Sequence, residues 1–210
     1  MSRLARTERA ALCDLALELG PDAPTLSGDW TTKDLVVHLL VREGSPAAIG
    51  IVVPQLGGLT DRASRRLARH DLADLVARLR KGPPIWSPLN IGPLDHAANT
   101  IEFFVHHEDL RRARAEWQPR TFSDRDQNLL WKLLQVLGKG LVREAKVGVV
   151  LERSDTSERA VLKDAPGAVV VRGLPGELVL FVYGRKPQAR VELVGDESDV
   201  DLLSGTDLGF

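Results

Sequence analysis

The chain has one cysteine, Cys13, in 210 residues. That excludes an internal disulfide and a cysteine-based zinc knuckle. No apolar run approaches the roughly 20 residues a membrane span needs. There is no excess of charge either. With 28 basic and 29 acidic residues, the protein has no long-range field to gather nucleic acid or an anionic membrane. The opening, MSRLARTERAAL, has an amphipathic helical pattern and no apolar secretory core. Internal repeats and low-complexity tracts are missing too. Hydrophobic residues make up 43%, enough to bury a core in one large domain or two small ones. Together these features point to a cytoplasmic protein acting on a small molecule, without a nucleic-acid or membrane partner.

Two halves differ in pattern. Leu4, Leu12, Leu15 and Leu19 recur at helical spacing, and Gly20-Pro21 closes that helix. A second helix opens at Thr31, where Thr31 and Asp34 have capping-box spacing, and runs to about residue 43. Residues 44–59 are apolar but broken by glycine and proline, which suits a loop packed over a pocket. One helix is expected over 61–80 on Leu67, Leu72, Leu75 and Leu79, then a proline-rich connection holding Trp86. Further helices are expected over 94–115 and 124–144. From Lys146 the pattern turns to short branched runs, VGVVLER, ERAVLK, AVVVRG and ARVELVG, which read as strands. GELVLFVYG reads as a short helix and DESDVDLL as a last helical turn or two. The expected fold is α+β: a helix bundle over 1–145, then a small α+β domain over 146–210.

The chemistry concentrates in three residues. Glu102 and His106 are four apart, hence on one face of a helix. Ile101, Phe103, Phe104 and Val105 surround them, so that turn has little polar face, and a buried glutamate needs a partner or a cation. His38 lies in the apolar run LVVHLLV. Two histidines and one glutamate are three ligands for a divalent metal with one position left open, the pattern of a catalytic centre. Helix bundles build metal sites in their cores this way. The plainer alternatives are a solvated Glu/His pair and a core histidine bonded to a backbone carbonyl. Asp109 shares the face of His106, where it is either a partner for a ligand histidine or the salt-bridge mate of Arg112. His107 points about 100° away. His96 fits a helix-entry contact, His70 a solvated position, and Cys13 a small core residue. Trp30 suits a staple against the second helix, and Trp86 an aromatic plug or a pocket wall.

DWTTKDLVVHLL and TIEFFVHHEDLRRA resemble the second- and third-helix signatures of the DinB-like metal-binding bundles. GLPGELVLFVYGRKPQARVELVGD resembles the C-terminal stretch of one branch, the mycothiol-dependent maleylpyruvate isomerase-like proteins. The resemblance implies an up-and-down bundle that binds a divalent metal through His38, Glu102 and His106. It implies a sterol-carrier-like domain after it, with Arg185 as the matching C-terminal catalytic arginine. It also implies mycothiol as the cofactor, its thiol held on the metal as a nucleophile.

Zinc is the first expectation for the metal, and nickel, iron and manganese suit the same donors. The leading reading is a thiol-dependent transferase or isomerase. The alternatives are a metal-dependent hydrolase and a non-catalytic metal or small-ligand binding module. Substrate, thiol and metal are the partners expected of a monomer or homodimer.

Overall fold

The computed structural model describes residues 2–44, 57–82 and 93–209. Trp86 and residues 45–56 of the apolar 44–59 segment lie outside them. The chain divides into two compact units, Met1–Trp117 and Gln118–Phe210.

The first unit is helical. Helix α1, Arg3–Leu19, starts where the Ser2 hydroxyl accepts the Ala5 N–H and ends at Gly20 with φ +82°, a backbone that glycine tolerates best. Helix α2 is Thr32–Gly44. Thr31 and Asp34 close its start reciprocally: the Thr31 N–H donates to Asp34 Oδ2 at 3.0 Å and the Asp34 N–H to Thr31 Oγ1 at 3.3 Å. This is the capping box read from the sequence, with Asp in place of Glu.

The single helix expected over 61–80 is two: α3, Gly57–Leu67, and α4, Leu72–Lys81. Leu67 and Leu72 are five residues apart, a rotation about 140° out of phase, so one straight helix cannot turn both to one core. The chain turns at His70, whose N–H bonds to the Leu67 carbonyl, and Asp71 is extended at φ −68°, ψ 151° as the N-cap of α4. Leu72, Leu75, Val76 and Leu79 then bury together. Helix α5 spans Pro93–Arg112. The core joins Leu12, Cys13, Leu35, Leu39, Leu75 and Phe103 from α1, α2, α4 and α5.

The second unit pairs helices with a sheet. Helix α6, Asp124–Leu141, precedes strands β1 (Val149–Arg153), β2 (Arg159–Lys163) and β3 (Val169–Gly173). Helix α7 (Pro175–Val182), strand β4 (Glu192–Val194) and helix α8 (Glu197–Ser204) follow. The sheet order is β2-β1-β3-β4, with β1 and β3 parallel and both outer pairs antiparallel. Every residue of α7 is buried, as its apolar sequence requires. Helix α6 packs on α7 and β2. A Cβ at Gly138 would sit 2.9 Å from Leu162 Cδ1, so a glycine there permits the close approach of helix to strand.

Secondary-structure type placed the boundary at 145/146, but contacts divide the chain at 117/118. Helix α6 turns its buried stripe, Gln127, Leu130, Trp131, Leu134, Gly138 and Leu141, to α7 and β2 of its own unit. Among the described residues no helix is long and apolar enough to cross a membrane.

Candidate metal centre

The capping box of α2 sets the rotation of that helix. Leu35, Val36, Val37 and Leu39 are buried, and His38 comes out beside α5. Helix α5 brings Glu102 and His106 one turn apart. The Nε2 of His106 lies 3.4 Å from Glu102 Oε2, and the Nε2 of His38 lies 3.9 Å from the same oxygen. One donor atom from each residue falls within 4.8 Å of the others. The three side chains singled out in the sequence therefore converge, from two helices, on one point.

Their surroundings fix them. The His106 Nδ1–H donates to Asp109 Oδ2 at 2.9 Å. That oxygen also accepts the Ser27 hydroxyl at 2.8 Å, and Asp109 is fully buried. Of the two roles weighed for Asp109, it takes the histidine partner. Arg112 pairs with Glu108. An Nδ1–H held this way leaves Nε2 as the ligating nitrogen. Trp30 lies over both imidazoles, its ring 4.8 Å from that of His38 and 6.4 Å from that of His106. It packs on the site itself, where a staple against the helix was expected.

The charges are out of the ordinary range. Burial works to raise the Glu102 carboxyl, but His106, His38 and Arg42 outweigh it and hold the group well below the usual carboxylate range. Burial works to lower His106, but Asp109 and Glu102 outweigh it and raise the group to about 9. Burial prevails at His38, whose pKa is lowered. So in the bare protein a proton on His106 serves as the cation between two carboxylates. A divalent ion can take that place, and two imidazole nitrogens with one carboxylate oxygen are a donor set that suits it.

Other candidates lie elsewhere. His107 Nδ1 bonds to Glu8 Oε2 of α1 at 2.7 Å, and both are buried. Arg9 of α1 and Glu43 of α2 form a buried ion pair. His70 is half-buried, with Arg78 Nη2 3.4 Å from its Nδ1. The backbone of His96 lies in the first turns of α5. Cys13 is a core residue whose thiol is raised to about 11, chiefly by burial. In the second unit, Arg185 Nη1 donates to the Tyr183 carbonyl at 2.6 Å.

Sequence reasoning missed two residues. Arg42 places its Nε 3.4 Å from Glu102 Oε2. It lies four residues after His38, and that spacing was the available signal. Ser27 carries no local pattern that points to Asp109, because the two are 82 residues apart.

No protein-family profile and no curated protein matches the sequence. Solved structures do. One is the crystal structure of the mycothiol-dependent maleylpyruvate isomerase, 21% identical over 90% of each chain, with a TM-score of 0.49. Another is a mutant of the mycothiol-dependent maleylpyruvate isomerase, 20% identical over 90% of each chain, with a TM-score of 0.53. The chain thus shares the fold of that isomerase.

Proposed function

We propose that the protein holds a divalent metal, zinc first, on His38, Glu102 and His106 and uses it in thiol-dependent isomerisation or transfer on a small organic substrate. The observation that carries the reading is the convergence of three ligand-type atoms within 4.8 Å, with Asp109 holding one imidazole by its far nitrogen. When bound, the metal supplies a Lewis acid that keeps a coordinating thiol as its thiolate.

The rest is the work of the chain. Glu102 offers one oxygen toward both histidines. Asp109 fixes the tautomer of His106. Trp30 lays an apolar wall over both imidazoles. The thiol comes from outside the protein, because Cys13 is buried, raised to about 11 and thus a poor thiolate. A low-molecular-weight thiol such as mycothiol fills that role, in keeping with the cofactor in the name of the fold relative. Arg185 is assigned to substrate through the sequence resemblance alone.

Cobalt substitution tests the thiol step. Adding a thiol to the cobalt-loaded protein should produce a sulfur-to-cobalt charge-transfer band. A spectrum and an affinity both indifferent to thiol would remove that step from the account.

A further inference from the structure

Arg42 stands one turn after His38 on α2, so the two share a face. Its Nε approaches Glu102 Oε2, the oxygen that both histidines face. Its Nη1 donates to Asn99 Oδ1, and Asn99, three residues before Glu102 on α5, is buried. The guanidinium is thus anchored at two nitrogens with its side chain only 14% exposed. Among the described residues Asn99 accepts from one of the five N–H groups a guanidinium carries, and Glu102 is an ion-pair partner of Nε. The remaining N–H groups have no hydrogen-bond partner among the described residues and can donate to a ligand.

A charge count gives this anchoring a purpose. With a divalent cation present, both imidazoles are neutral ligands. Glu102 and Asp109 then cancel the cation, and Arg42 leaves the centre one positive charge in excess. Without Arg42 the count is zero. A half-buried guanidinium in a fixed position is the group best shaped to take a carboxylate through paired, charge-assisted hydrogen bonds. An ammonium would act there only as a point charge.

We infer that Arg42 is the recognition residue of this centre, binding a carboxylate carried by the thiol or substrate that reaches the metal. This rests on the metal and thiol reading above.

The test compares wild type, Arg42→Met and Arg42→Lys. Metal content is measured first, by elemental analysis. Cobalt-loaded samples are then titrated with mercaptoacetate and with 2-mercaptoethanol, a thiol of similar size without a carboxylate. All three proteins should hold metal equally. Wild type should bind mercaptoacetate about tenfold more tightly than 2-mercaptoethanol. Mercaptoacetate can chelate cobalt in every variant, so Arg42→Met should lose most of the preference, and Arg42→Lys should recover part of it. A preference as large in Arg42→Met as in wild type, or missing from wild type, overturns the inference. So does loss of metal from Arg42→Met, which would make Arg42 a support for Glu102. A metal-free wild type, or one that binds neither thiol, defeats the underlying reading, and the elemental analysis and the two titrations tell these cases apart.

Discussion

His106 and His107 are neighbours on α5, and they enter opposite surroundings. His107 meets Glu8 at 2.7 Å, and the next residue of α1, Arg9, pairs with Glu43. His107 and Glu8 satisfy each other there, while among the described residues Arg9 keeps a buried Nε without a hydrogen-bond partner. His106 meets two carboxylates, and one Glu102 oxygen faces His38, His106 and Arg42 together. A buried charge cluster is stable only when its partners balance it. The two regions show that a candidate metal centre is marked less by its residue types than by donors converging on a common point. The His107 side has the same kinds of side chain, but among the described residues no three of its ligand-type atoms fall together.

The sharpest way to break this comparison is to truncate each histidine in turn. His106→Ala should weaken zinc binding beyond the roughly 10–100-fold typical of losing a supporting residue. His107→Ala should leave zinc affinity unchanged while costing about 1–3 kcal/mol of stability, because Glu8 loses a buried hydrogen bond. Calorimetric titration and denaturant unfolding read the two effects separately. Equal loss of zinc in both variants would erase the distinction between the regions.

Asp109→Asn comes next in size. It keeps the volume but weakens the hold on His106, and zinc affinity should fall by about 10–100-fold with the stoichiometry still reached at high zinc. An unchanged affinity would mean that Asp109 serves only Ser27.

The pH dependence sharpens the same contrast. In the metal-free protein His106 is raised to about 9, above its unfolded value near 6.5. Its contribution is complete below about pH 6.5 and is lost as pH rises through about 9. Glu102, depressed when folded, has the opposite sign: its contribution is present above the unfolded carboxyl pKa and is lost as pH falls through the folded one. The metal-free protein should therefore lose stability between pH 6.5 and 9. The zinc-loaded protein, with no Nε2 proton on His106 to lose, should not. Identical denaturant midpoints for both forms across that range would contradict the charge assignment.

The smallest effect belongs to Trp30. Cobalt should quench part of the tryptophan fluorescence, and Trp30→Phe should abolish most of that quenching, since Trp30 lies 4.8 Å from the His38 ring. Stability should change by about 0.5 kcal/mol or less, because Trp30 is 37% exposed. Quenching that persists in the variant would place cobalt nearer another tryptophan.

Much of this was legible because it is local. The capping box at Thr31, the i,i+4 pair and the short branched strands all express their geometry within a few residues. The parts that were not legible depend on long separations. Ser27 reaches Asp109, and Glu8 reaches His107, across most of the first unit. Helix α6 has the amphipathic pattern of a bundle helix, and only its packing on α7 and β2 assigns it to the second unit. The break between α3 and α4 was visible in the five-residue step from Leu67 to Leu72, but a leucine count alone passes over it.

The central claim is that His38, Glu102 and His106 form a metal centre and the His107 region does not. Elemental analysis of purified wild type, His106→Ala and His107→Ala tests it most directly. The account predicts about one divalent metal per chain in wild type and His107→Ala, and none in His106→Ala. A folded wild type that holds no metal and takes up none from added zinc would contradict it, leaving the three residues as packing and ion-pair partners.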